Sequence, residues 1–173
     1  MILAVDVAYK GTVALTAGIL FRYWGDASPQ KEITTLVDHI QDYIPGQFYQ
    51  REMPCILALL TRLDELPNII VIDGFVYLER EHRAGLGRHL YDELNGKITV
   101  IGVAKKPFRD TPLETELYRG GSKNPLYITA IGIDEEAAKA HIAEMHGRYR
   151  IPTLLKWVDQ LCRQQISSTN NAS

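Results

Sequence analysis

Apolar residues follow two rhythms along this chain, and the change falls near residue 50. Ile2-Leu3-Ala4-Val5 is an unbroken apolar run, interrupted by Asp6 and resumed at Val7-Ala8. Such a run predicts a central strand over Ile2 to Ala8, covered on both faces. Lys10-Gly11 predicts a tight turn into a second strand, Val13 to Tyr23, where Thr16 and Gly18 are interleaved with apolar residues. Gly25 to Gln30 gathers Gly, Asp, Ser and Pro and predicts another turn. The β-branched pair Thr34-Thr35 then marks a third strand, Glu32 to Val37. Three strands joined by short turns make an antiparallel meander.

The rhythm then becomes helical. Pro54 suits a first helical turn, where its missing N–H costs nothing. Cys55, Leu59 and Leu63 follow at helical spacing, with Ile56 and Leu60 beside them. Ile69 to Ile72 predicts a short buried strand. Leu86 to Leu94 predicts a helix closed by Asn95-Gly96. Strands at Ile98 to Ala104 and Leu126 to Ile131 come next, then helices at Glu135 to His146 and Pro152 to Gln165. Strands alternating with helices imply parallel pairing through right-handed crossovers. The expected class is α/β: an antiparallel meander plus parallel βα units in one mixed sheet flanked by helices. The ribonuclease H-like fold has this order of elements. A chain of 173 residues is expected to form one domain, over residues 1–166. The polar stretch 167–173, Ser-Ser-Thr-Asn-Asn-Ala-Ser, is expected to be a disordered tail.

Four acids stand out against this pattern. Asp6 lies inside the first apolar strand and Asp73 ends the run Ile69-Ile70-Val71-Ile72. Glu52 precedes Pro54 by two residues. Asp159 falls four residues after Leu155 and three before Cys162, near the apolar stripe of the last helix. Acids beside buried apolar runs call for a positive partner, and a divalent metal is the simplest. Each acid also has a plain reading. Asp73-Gly74 is a common turn pair, Glu52 suits the positive end of a helix dipole, and Asp159 can sit half exposed at a stripe edge. Taken together they make a site. Two metals about 4 Å apart would stabilise the attacking and leaving oxygens of phosphodiester hydrolysis. Lys105, at the end of the strand Ile98 to Ala104, reaches the same sheet edge and would bind phosphate or place water; its plain reading is a solvated strand end.

Overall charge alters little. The net charge of −2 gives no global pull toward nucleic acid, so such binding must rest on local patches. Basic residues cluster at Arg80, Arg83 and Arg88, at Lys105, Lys106 and Arg109, and at Arg148, Arg150 and Lys156. Glu79, Glu81 and Asp92 dilute the first cluster. Cys55 and Cys162 lack metal-ligand spacing and read as reduced core residues of a cytoplasmic protein. No apolar run is long enough to span a bilayer, and the start reaches Asp6 too soon for a signal peptide.

Five segments, in order, resemble the endonuclease V family of the ribonuclease H-like fold. Val5-Asp6-Val7 is similar to the family's first catalytic strand. Tyr43-Ile44-Pro45-Gly46, followed by Arg51-Glu52-Met53-Pro54, is similar to its Tyr-Ile-Pro-Gly wedge and the motif after it. Ile72-Asp73-Gly74 resembles the second catalytic strand end. Ile101-Gly102-Val103-Ala104-Lys105-Lys106 is the most specific match, accompanied by Asn124-Pro125-Leu126-Tyr127. Tyr149-Arg150-Ile151-Pro152 with Trp157-Val158-Asp159 resembles the C-terminal segment. The resemblance implies an endonuclease dependent on Mg²⁺, with Mn²⁺ as an alternative. It would cut DNA or RNA one phosphodiester bond beyond a deaminated purine, deoxyinosine or inosine, on the 3′ side. Asp6, Glu52 and Asp73 would hold metal, Asp159 would act at a second metal position, and Lys105 would contact phosphate or water. Tyr43 would fill the gap left by a displaced base, with Pro45, Gly46, Gly74 and Lys106 as further nucleic-acid-binding positions.

Two departures bear on this expectation. Family members usually carry an N-terminal, mostly helical segment before the first catalytic strand, which here begins at Met1; its absence would expose apolar surface. After Asp73-Gly74, many members have a further glycine and then His-Pro-Arg. Here the chain reads Phe75-Val76-Tyr77-Leu78-Glu79-Arg80-Glu81-His82-Arg83, and only Gly85 and His89 can be matched, with one inserted residue. The metal-site pattern is therefore better kept than the base-reading pattern. Two other readings stand beside the favoured one: a ribonuclease H-like nuclease with another nucleic-acid target, and a nucleic-acid-binding protein without turnover. Against the latter, a binder gains nothing from concentrating acids against phosphate.

Overall fold

The computed structural model describes residues 1–38, 40, 42, 44–45 and 49–169. The expected meander is present: β1 (Ile2–Lys10), β2 (Val13–Phe21) and β3 (Lys31–Val37) pair antiparallel in sequence order. Next come α1 (Tyr49–Leu60), β4 (Ile69–Asp73), a hairpin of β5 (Tyr77–Leu78) and β6 (Arg83–Ala84), α2 (Leu86–Glu93) and β7 (Thr99–Ala104). A 3₁₀ turn (Leu113–Thr115), β8 (Glu116–Leu117), β9 (Leu126–Ile131), α3 (Glu135–Glu144) and α4 (Thr153–Ser168) complete the chain.

Seven strands form one mixed sheet in the order β3-β2-β1-β4-β7-β9-β8. β1, β4 and β7 are parallel, and β9 returns antiparallel to β7. The order reverses between β1 and β4, because the meander extends to one side and the βα units to the other. Ligands of open α/β sheets gather outside the carboxyl ends of strands at such a switch point.

Strand alternation divides the core in two. Ile2, Ala4, Val71, Ile101 and Val103 face α3 and α4, whose Ala138, Ile142, Leu154, Val158 and Cys162 pack with them. Leu3, Val5, Ile70, Ile72 and Val100 face α1 and α2, meeting Ile56, Leu59, Leu86 and Leu90. Successive side chains point to opposite faces. This parity puts Asp6, Asp73 and Lys105 on the α4 side, and Val7 and Tyr9 on the α1 side.

Helix α1 corrects the expected helix start. It begins at Tyr49, five residues before Pro54, which lies inside the helix. Proline there removes the bond to the Gln50 carbonyl. Tyr49 and Leu57 pack on the second core, and that burial outweighs the lost bond. Glu52 thus falls within the first turn rather than ahead of the helix. Helix α4 runs to Ser168, beyond the expected boundary at residue 166. No helix among the described residues is long and apolar enough to cross a membrane.

Candidate active site

Register brings the acids together. β1 pairs with β4 from Ile2↔Ile69 to Ala4↔Val71, so two more steps in that register would set Asp6 beside Asp73. The pairing stops at Ala4↔Val71, while β4 and β7 stay paired to Asp73↔Val103. β1 and β4 therefore part just where their acids emerge. A pocket opens there on the α4 side, lined by Asp6, Asp73, Lys105, Ile151, Pro152 and Leu155 among others.

Each acid arrives from a different element. Asp6 is partly buried and accepts a hydrogen bond from the Val7 N–H at 2.9 Å. Its pKa is pushed up to about 7, first by burial, then by the nearby Asp73 charge and by hydrogen bonding with Asp159, against the pull of Lys105. Asp73 is exposed at the end of β4, with Lys105 Nζ 3.5 Å from its Oδ2. Asp159 lies on α4, and Arg163 Nε, one turn later, is 3.0 Å from its Oδ1. Glu52 comes from α1, on the other face, and is only 8% exposed. Burial, followed by the charges of Asp6 and Asp73, raises its pKa to about 8, with Arg51 and Tyr9 opposing the rise. Asp6, Glu52, Asp73, Asp159 and Lys105 are thus brought into one neighbourhood.

The other expected positions are placed as follows. Gly74 follows Asp73 at φ 147°, a backbone region open to glycine, and its N–H bonds the Val103 carbonyl. Lys106 is exposed beside Lys105, and Pro45 is exposed in a turn ahead of α1. Tyr43 and Gly46 lie outside the described residues. Of the basic clusters, Arg83 pairs with Glu79 at 3.2 Å and Arg88 with Asp92 at 3.0 Å, which neutralises much of the first one. Arg150 points its guanidinium at backbone carbonyls of residues 105, 124 and 125.

Tyr9 and Arg51 are site neighbours whose roles sequence reasoning missed. The Arg51 guanidinium lies 3.8 Å from the Tyr9 ring centroid. The Tyr9 hydroxyl stands beside Glu52 but makes no hydrogen bond of ordinary geometry, and Arg51 Nε is likewise buried without a partner. Tyr9 lies three residues after Asp6, so strand parity could have assigned it to the face from which Glu52 approaches.

The donor set suits a divalent metal. Four carboxylates supply only oxygen ligands, the preference of a hard cation. Burial, and then the neighbouring acid charges, push the Asp6 and Glu52 carboxyls up toward neutrality, and a bound cation would take the place of the protons they hold. The unpartnered Tyr9 and Arg51 atoms mark polar space next to Glu52. Among the described residues the acids are near neighbours rather than a closed ligand shell.

Known proteins resemble this chain in sequence and in fold. The endonuclease V family model matches residues 1–133. Endonuclease V of Streptomyces coelicolor is 30% identical, covering 94% of this chain and 77% of its own. The crystal structure of endonuclease V from Streptomyces avermitilis is 29% identical with a TM-score of 0.77, covering 97% of this chain and 82% of that one. Endonuclease V of Ciona intestinalis, solved with a 24mer DNA containing an inosine followed by a ribo-adenosine, shares the fold at 19% identity and a TM-score of 0.78, covering 98% and 87%. The run of shared segments, the mixed sheet and the acids at its switch point have one common account: this chain belongs to the endonuclease V family, whose members are nucleases that hydrolyse phosphodiester bonds.

Proposed function

We propose that this protein is a Mg²⁺-dependent endonuclease that cuts nucleic acid on the 3′ side of a deaminated purine, inosine or deoxyinosine. The observation that carries the reading is the meeting of Asp6, Asp73 and Lys105, with Asp159 against Asp6, where β1 and β4 part. The Ciona relative bound to inosine-containing DNA supports the substrate class. The family is one of nucleases that typically need divalent metal ions. Two buried, reduced cysteines suit a cytoplasmic setting.

Asp6, Asp73 and Glu52 would hold the metal, Mg²⁺ or Mn²⁺, with Asp159 at a second position. The bound metal would supply charge stabilisation for the phosphorane-like transition state and lower the pKa of an attacking water. Lys105 stands beside Asp73 to hold a non-bridging phosphate oxygen or to orient that water. The apolar wall of Ile151, Pro152 and Leu155 limits solvent on the α4 side. Tyr43, by its place in the family motif, would fill the gap left by a displaced base. Pro45, Gly46, Gly74 and Lys106 would border the strand.

A second reading, a related nuclease with a different nucleic-acid target, draws on the segment after Asp73. Val76 is fully buried there, and its N–H bonds Thr129 Oγ1 at 2.8 Å. Many family members carry glycine at that place, so the base-reading region has been rebuilt. The test is cleavage of matched single- and double-stranded DNA and RNA oligonucleotides, with and without one inosine, in Mg²⁺ and in EDTA, with Asp73→Ala as control. Metal- and inosine-dependent cutting that the variant lacks supports the first reading. Cutting without inosine preference favours the second. Absence of cutting on every substrate would refute both.

A further inference from the structure

We propose that Arg150 is a positioning residue that fixes Lys105 in the active site by holding its backbone carbonyl against the start of β9. The inference rests on the role given to Lys105 above. The β7–β9 ladder ends at Ala104↔Tyr127, one residue short of Lys105. Pro125 has no N–H with which to prolong it. The Arg150 guanidinium takes over at this point. Its Nη2 donates to the Lys105 carbonyl and, at 2.8 Å, to the Pro125 carbonyl, while Nε donates to the Asn124 carbonyl at 2.9 Å. One rigid fork thus ties together two strand ends that no ladder bond joins. With its root held, Lys105 keeps its ammonium on Asp73.

Arg150 is itself anchored. Arg119, only 8% exposed, donates to the carbonyls of Met145 and Gly147 through Nη2, at 2.7 and 3.0 Å. Its Nη1 donates to those of Tyr149 and Arg150, at 2.6 and 3.3 Å. Gly120, at φ 64°, lets this segment touch 148–150: an added Cβ would lie 2.6 Å from Tyr149 backbone carbon. A buried cation satisfied by carbonyls alone forms a stiff support, because breaking any one bond leaves a charge and a carbonyl poorly solvated. The supported segment leads directly into α4, the helix that bears Asp159. The two arginines therefore join the end of the Lys105 strand to the base of the Asp159 helix.

The test compares Arg150→Ala, Arg150→Lys, Lys105→Ala and the Lys105→Ala/Arg150→Ala double variant on an inosine-containing oligonucleotide in Mg²⁺. Arg150→Ala should lower kcat about thirtyfold and leave KM within about twofold, as for loss of an interaction used in the transition state. Arg150→Lys should behave similarly, since one ammonium cannot span three carbonyls. Millimolar guanidinium should restore part of the Arg150→Ala loss. The double variant should be no slower than Lys105→Ala, because the arginine acts through the lysine. Amide hydrogen exchange at 104–106, 124, 126 and 127 should rise in Arg150→Ala whether or not the substrate has been identified correctly. Losses that multiply in the double variant, a KM that rises with the fall in kcat, or unchanged exchange would overturn the proposal. An active Lys105→Ala enzyme would instead overturn the role of the lysine, and no cutting by the unaltered protein would refute the substrate reading, with the exchange result still deciding the clamp.

Discussion

Lys105 Nζ lies 3.5 Å from Asp73 Oδ2, across two parallel strands that stay paired as far as Asp73↔Val103. Both side chains are more than a third exposed, so the pair contributes less than about 1 kcal/mol to stability. On the proposed function its value would lie in placing an ammonium where phosphate charge develops. Lys105→Ala should therefore leave the melting temperature within about 2 °C while lowering kcat about a hundredfold. Thermal melting and cleavage kinetics on the same preparation check both halves.

The raised acids set the direction of a pH effect. Asp6 titrates near 7 and Glu52 near 8, well above ordinary carboxylates. Between pH 4 and 8 the folded state thus holds more protons than the unfolded chain, and stability falls as pH rises through that window. His89, whose pKa is lowered by burial, works the opposite way as a single group. In EDTA, melting should occur on the order of 5 °C lower at pH 8 than at pH 5. Mg²⁺ should recover more at pH 8, where fewer protons must leave the ligands. Asp6→Asn combined with Glu52→Gln should flatten the EDTA profile; an unchanged slope would assign it to other groups.

Gly102 is a packing constraint beside the site. A Cβ there would lie 2.5 Å from the Gly74 carbonyl oxygen and 2.9 Å from Thr129 Oγ1. The first of these is backbone and cannot rotate away. Gly102→Ala should push Gly74, and with it Asp73, off the β7 edge. The expected cost is about 1–3 kcal/mol, seen as a lower urea midpoint, together with at least a tenfold loss of cleavage.

Tyr9→Phe separates fold from site. The hydroxyl makes no ordinary hydrogen bond, so its removal should leave stability in EDTA unchanged or slightly raised. It stands beside Glu52, a proposed metal ligand, where it could donate to the ionised carboxylate once a metal binds, and outer groups of this kind are worth about tenfold in metal affinity. Calorimetric titration with Mn²⁺ should show that weakening, and unchanged affinity would remove Tyr9 from the site.

Much of this was legible in the chain. The run Ile2-Leu3-Ala4-Val5 predicts a central strand, and β1 lies between β2 and β4 with both faces covered. The meander, the βα alternation and the presence of helices α1 to α4 follow from periodicity. The hairpin β5–β6 and strand β8, two residues each, are too short for any period to reveal. Pro54 reads locally as a helix opener, whereas α1 begins earlier, at Tyr49, which packs with Leu57 on the second core. Among the acids, Asp6 and Asp73 could be paired from strand logic, but the approach of Glu52 from the opposite face depends on tertiary structure. The sequence marks Arg150 only as a member of a basic cluster and of the C-terminal motif; its bracing role, like that of Arg119, is not legible because the partners are backbone carbonyls, and a carbonyl leaves no mark on the sequence.

The switch-point geometry has a consequence for how the molecule is made. Asp6 belongs to the first strand and Asp159 to the last helix, and they meet only when α4 docks on the sheet. Such distant pairing is late and slow relative to local helix formation. A growing chain displays Asp6 and Asp73 long before Asp159 exists. On the proposed function, cutting would be withheld until α4 docks, and a prematurely terminated product lacking α4 would lack one of the proposed metal ligands.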